Sequence, residues 1–234
     1  MIVVLWQFIG AAGYLNSSIV PTPSKVANSF AAYLKNGLLH EHFFASIGRV
    51  LSGFAIGGVA GLILGVLLGL FRKFERASVV VLGSIRPIPM VGLVPLFILW
   101  FGIGEKSKIL VIAIGALWPI LLNTENGIRN TDPKQLEVAK ILKKNQFFIL
   151  RKIILPGAVP LLVTGIRLGL SNAWRGVVAA EMIGATRGVG YMISYARELA
   201  QPSVMFVGLF IIGIVGILID VLLFRFQKRL IRWA

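Results

Sequence analysis

From Val50 to Phe71 the chain carries no Asp, Glu, Lys or Arg, and about 20 apolar residues of helix suffice to cross the hydrocarbon core of a bilayer. Further uncharged runs extend from Pro87 to Gly104, Ile109 to Thr124 and Ser203 to Ile219. Some of these sit near the lower length limit and are extended by uncharged or snorkelling neighbours. In hydrocarbon each backbone N–H and C=O must find its partner within its own segment, which makes helices the economical solution. Of the 234 residues 57% are hydrophobic and 14% charged, against roughly 25% charged in soluble domains, so a soluble core of this size could not hide the apolar surface. The pattern predicts an all-α, polytopic transmembrane helical bundle forming one domain, with six spans near 1–15, 46–70, 79–101, 107–123, 158–180 and 203–224.

Orientation follows from the basic residues, since short cytoplasmic loops hold the excess of Lys and Arg. The segments after the second, fourth and sixth spans carry twice the Lys and Arg of the opposite set. Both termini are therefore expected to face the cytoplasm, together with the long basic loop 124–157. The net charge of +15 is spread between apolar spans and forms no continuous face, so nucleic acid is not an expected partner; the lipid bilayer is. With no cysteine in the chain, disulfide, thiol and thiolate-metal chemistry are excluded. The first residues are apolar from Met1 without a basic leader, which argues against a removable signal peptide. The first stretch is short for a span, since 15 helical residues rise only about 22 Å, so either the true start lies upstream or this helix is shallow.

Two spans have internal character. In the second, Gly53, Gly57, Gly61, Gly65 and Gly69 recur every fourth residue with Gly58 beside them, a stripe that lets another helix approach closely. In the third, Arg86, Pro87, Pro89 and Pro95 predict a broken helix, because each proline removes a donor and disturbs the preceding turn. Broken backbone at membrane depth belongs in the bundle interior or beside a water-filled path. The alternative places Arg86 near the cytoplasmic headgroups.

Between the fourth and fifth spans, Asp132 is placed as N-cap and Pro133 at the first position of a short amphipathic helix running to Leu142. Loops of this length are usually functional, and the apolar Leu136, Val138, Ala139, Ile141 and Leu142 need a partner surface such as a groove on a soluble protein.

Glu137-Val138-Ala139 followed by Ile153-Ile154-Leu155-Pro156 resembles the EAA loop of ABC importer permeases. Around it, Arg86-Pro87-Ile88-Pro89, Leu99 to Glu105, Pro119 to Thr124 and Ala179 to Thr186 look like the branch serving nitrate, sulfonates, taurine and related small solutes. The similarity runs from about Ser46 to Arg229. It implies a type I ABC importer permease of the bacterial cytoplasmic (inner) membrane, with the helix around Leu136, Glu137, Val138, Ala139, Ile141 and Leu142, and the following Leu155 and Pro156, coupling it to separate ATPase subunits. Those subunits would hold ATP and Mg, this chain carrying no cofactor. The implied partners are a second permease chain, most simply another copy, and an external solute-binding protein. Two departures stand out: Val138 replaces the first Ala, and Lys143 occupies the family glycine position, so the usual break is missing and the helix is expected to run on.

For the translocation path the candidates are Arg86, Pro87, Pro89, Asn172, Trp174, Arg175 and Glu181. Arg175 beside Trp174, with Asn172, suits a sulfonate or carboxylate in transit, because a charge within the membrane tends to face a cavity or partner. Alternatively Arg167 or Arg175 pairs with Glu181, Glu125 or Asp220 and holds the bundle. Catalytic chemistry has no support. Gly102-Ile103-Gly104-Glu105-Lys106-Ser107 has Glu105 where a phosphate loop needs Gly next to Lys, His40-Glu41-His42 lacks the spacing of a helical zinc site, and no nucleophile elbow occurs. A gradient-driven single-chain transporter remains the rival reading; it would require internal repeats and buried carboxylates, of which Asp220 is the one deep in a late span.

Overall fold

The computed structural model describes residues 1–230, and among these all regular structure is helical. Among the described residues, four helices are long and apolar enough to cross a membrane. They are α3 (Leu38–Leu70), α6 (Glu105–Arg129), the continuous helix Gln146–Gly184, and α11 (Pro202–Leu230). A fifth pair, α4 (Arg72–Ile85) and α5 (Met90–Phe101), passes the same test together but is bent by 93°. The first expected span is α1 (Ile2–Ala11), whose ten residues rise about 15 Å.

The core is a three-helix sandwich with α6 in the middle. Its first face is built by the glycine stripe of α3. An added Cβ at Gly57 would run into the Ala113 backbone, and at Gly61 and Gly65 it would meet the carbonyls of Leu117 and Leu121. Side chains of α3 therefore do not separate the two helices; backbone lies against backbone, the contact small residues make possible in lipid. On the other face, Gly165 and Gly169 do the same against the Pro119 and Ala116 carbonyls. These glycines belong to α9 (Leu155–Gly184).

The third expected span breaks where its prolines stand. Helix α4 ends at Ile85, Arg86 is its cap, and Pro89 is extended (φ −67°, ψ 132°) as N-cap of α5. Pro95 is accommodated inside α5. The loop after α6 begins with α7 (Pro133–Ile141), whose N-cap Asp132 accepts from the Lys134 N–H at 2.9 Å. A four-residue helix α8 (Gln146–Ile149) then leads through a π-helical turn, Leu150–Ile154, into α9. That wide turn falls just before Pro156, whose ring crowds the carbonyl of the previous turn and whose missing N–H frees an acceptor.

At the opposite end, α2 (Pro23–Lys35), the start of α3, α10 (Val189–Glu198) and the first turns of α11 close over a compact apolar cluster of Val26, Leu39, Val189, Met192, Val204 and Val207. Trp6 of α1 packs beside it on Phe206 and Phe210.

Candidate functional site

Helix α7 is fixed at both ends by its own sequence. At the C-terminus the expectation that it runs on past Lys143 is corrected: the helix stops at Ile141, and Lys143 takes the left-handed conformation with φ 51°. The Lys143 N–H bonds the Lys140 carbonyl at 2.9 Å and the Lys144 N–H bonds the Ala139 carbonyl at 3.0 Å. This is the Schellman pairing normally completed by glycine. The break is therefore kept, with lysine bearing the steric cost of a left-handed residue.

The faces of α7 also differ from expectation. Ala139, counted among the residues offered to a partner, is 3% exposed and turned into its own chain. Val138, Ile141 and Leu142 are exposed, Ile141 most of all at 79%, while Leu136 is half-buried and Glu137 faces solvent. An apolar groove beside them is lined by Val138, Ala139, Leu142, Phe148 and Ile153, with Lys134 and Lys144 at its margin. Leu155 and Pro156 start α9 behind it, Leu155 exposed and Pro156 half-buried.

The residues expected along the path separate into different places. Trp174 lies in the core of the bundle: it is 2% exposed, packs with Val50, Ile112 and Val177, and donates Nε1 to the Ile212 carbonyl at 3.0 Å. Glu181 is likewise withdrawn, at 1% exposure. Arg175 is exposed on α9; its Nε donates to the Ser171 carbonyl at 3.3 Å, and it forms no ion pair among the described residues. Asn172 is half-buried one turn earlier. Arg86, Pro87 and Pro89 are exposed at the elbow between α4 and α5. None of the pairings considered for the two arginines of α9 occurs: Asp220 accepts from Ser171 at 2.6 Å, Glu125 faces Arg129, and Arg167 lies over the Phe224 ring.

The model of the family described as "Binding-protein-dependent transport system inner membrane component" matches residues 57–233. The chain belongs to this family. The permease is 40% identical over 233 residues to a putative aliphatic sulfonates transport permease of Bacillus subtilis, which covers all of this chain and 84% of the relative. It is 36% identical over 234 residues to a riboflavin transport system permease of Chloroflexus aurantiacus, covering all of this chain and 87% of that one. In fold the permease resembles the inward-facing MetNI methionine ABC transporter, with TM-score 0.72 at 22% identity over 84% of this chain and 97% of the other. It also resembles an amino acid ABC transporter solved with histidines, with TM-score 0.72 at 16% identity over 86% and 98% of the two chains.

A buried polar centre that local sequence reasoning does not reach lies at Arg49 of α3. Arg49 is 7% exposed. It donates to Glu105 of α6 at 2.6 and 2.8 Å, to Glu181 of α9 at 2.8 Å, and to the Arg187 carbonyl at 2.6 Å. Glu181 is completed by Ser46 Oγ and by the Gly190 N–H at 2.9 Å. Three membrane helices and the loop into α10 are thus tied at one end of the sandwich. A signal did exist: continuing the glycine stripe of α3 beyond Gly53 in steps of three or four lands on Arg49, Ser46 and His42, all buried on the same face.

Proposed function

We propose that this permease is the membrane-spanning subunit of an ABC importer for an aliphatic sulfonate or a similar small anion, delivered by an external binding protein and driven by separate ATPase subunits that bind ATP and Mg. Helix α7 docks on the ATPase, and two permease chains, most simply two copies, enclose the path. Helix α7 and the last turns of α11 lie on the cytoplasmic side, with the bent α4–α5 pair counted as the third pass. The observation that carries the coupling role is the exposed apolar trio Val138, Ile141 and Leu142 on a helix capped at both ends. Water alone does not favour that surface, and a rigid capped helix can be gripped and moved as a unit. Nucleotide-dependent closure of the ATPases would then bias two arrangements of the permease, which is what coupling requires. The solute class rests on two relatives, at 40% and 38% identity, that are named for aliphatic sulfonates.

Substitution on the two faces of α7 tests the reading. Ile141→Glu should leave the permease folded but abolish copurification with the ATPase and ATP-driven sulfonate uptake in proteoliposomes. Ala139→Glu should instead disturb the loop itself and lower thermal stability, because it buries a charge against the same chain. Uptake by vesicles lacking any ATPase would favour a gradient-driven transporter and overturn the proposal.

A further inference from the structure

Helix α4 buries none of its residues, so apolar packing does not hold it in place. It follows the extended residue Phe71 and ends in the elbow at Arg86 to Pro89, leaving it hinged at both ends. Between α4 and α6 lies a groove of about 160 Å³, lined by Val79, Leu82 and Arg86 on one side and Trp118, Leu122 and Glu125 on the other. The polar connection across it is the ion pair of Glu75 on α4 with Arg129, the last residue of α6. Arg129 also donates Nη2 to the Leu68 carbonyl of α3 at 2.9 Å and approaches Glu125 at 3.5 Å.

Arg129 also sits at the root of α7. Only Asn130, Thr131 and Asp132 separate it from Pro133, and this tether is stiff: Thr131 is 6% exposed and its hydroxyl donates back to the Ile128 carbonyl at 2.8 Å. We propose that the Glu75–Arg129 pair is the link through which displacement of α7 reaches the bent α4–α5 span, making Glu75 and Arg129 positioning residues for transport. The proposal rests on the coupling role of α7. The pair is partly open to solvent, with about 30% of each side chain exposed. Such pairs are weak, so this one can open and close within each cycle, and the groove beside it gives α4 room to move.

The experiment uses the complete complex in proteoliposomes and reads solute taken up per ATP hydrolysed. Glu75→Gln and Arg129→Gln should lower that ratio several-fold while the ATPase still copurifies, and the reversed pair Glu75→Arg with Arg129→Glu should recover part of it. A residue that merely anchors α4 would lower yield and stability and leave the ratio unchanged. An unchanged ratio in Glu75→Gln would overturn the link. Since the chain has no native cysteine, spin labels at Val80→Cys and Asn126→Cys report the α4–α6 separation with no other substitution in this chain. A change between nucleotide-free and ATP-trapped states is expected, and a fixed separation would overturn the link whatever the variants do. Failure of the unsubstituted chain to bring down an ATPase would instead overturn the coupling role of α7 itself.

Discussion

Arg49 and Glu181 form a buried ion pair at 2.8 Å, with side-chain exposures of 7% and 0%. Glu181 also fills the space where a side chain at residue 188 would go, since a Cβ on Gly188 would collide with its carboxyl group. The pair therefore fixes the path of the loop into α10 as well as the spacing of α3 and α9. Removing one partner strands the other in a low-dielectric site, which typically costs about 3 to 5 kcal/mol. Arg49→Met should accordingly lower the thermal unfolding midpoint in detergent far more than the double variant Arg49→Met with Glu181→Gln, which strands neither partner's charge. Equal losses in the single and double variants would show that the charge balance is not what holds this end together.

The glycine stripe of α3 makes a prediction that two neighbouring residues separate. A Cβ at Gly57 meets the Ala113 backbone, which cannot move without shifting α6, whereas at Gly58 it meets only the Ile120 Cδ1 at 3.5 Å. Gly57→Ala should be destabilising by about 1 to 3 kcal/mol, the usual range for overpacking. Gly58→Ala should be neutral or slightly stabilising, since alanine favours helix by up to about 1 kcal/mol. The fraction of each variant surviving a heating series in detergent checks both.

What was legible in the sequence was what depends on spacing along one helix. The stripe from Gly53 to Gly69, the proline break after Arg86 and the Asp132 cap all follow from local periodicity or local backbone chemistry, and the structure has each of them. Partners across helices were not legible. Trp174 and Arg175 are adjacent in the chain, yet a single step of 100° around α9 puts one in the core and the other outside. Arg49 and Glu105 are separated by an entire span and a broken one, and no local rule pairs them. Lys143 differs for another reason: the absence of glycine does not imply the absence of a break, because the surrounding hydrogen bonds hold a lysine in the left-handed region.

That strained lysine gives a third prediction. A non-glycine residue in the left-handed region costs roughly 1 kcal/mol or somewhat more, while glycine adopts it freely. Lys143→Gly should therefore firm the end of α7, slowing hydrogen exchange of the amides at positions 143 and 144 several-fold. Lys143→Val should speed it, because a β-branched side chain tolerates that conformation worst. Exchange rates that do not separate the two variants would mean that the loop, not the cap, sets the end of the helix.

Arg175 lies on a stripe of α9 with Leu168 one step of seven before it and Met182 one step after, all three exposed. On a helix long and apolar enough to cross a membrane, a charge facing lipid is costly, whereas its two apolar neighbours are not. The stripe is thus suited to a water-filled path or the facing permease chain. If the guanidinium meets an anionic solute there, its loss removes a charge-assisted hydrogen bond worth about 1.5 to 3 kcal/mol, or roughly 10- to 100-fold in affinity. Arg175→Ala should raise the solute concentration for half-maximal uptake by that factor, and Arg175→Lys by less, with ATPase copurification and thermal stability unchanged. Loss of stability in step with uptake would assign Arg175 to the contact between chains, and unaltered uptake would remove it from the path.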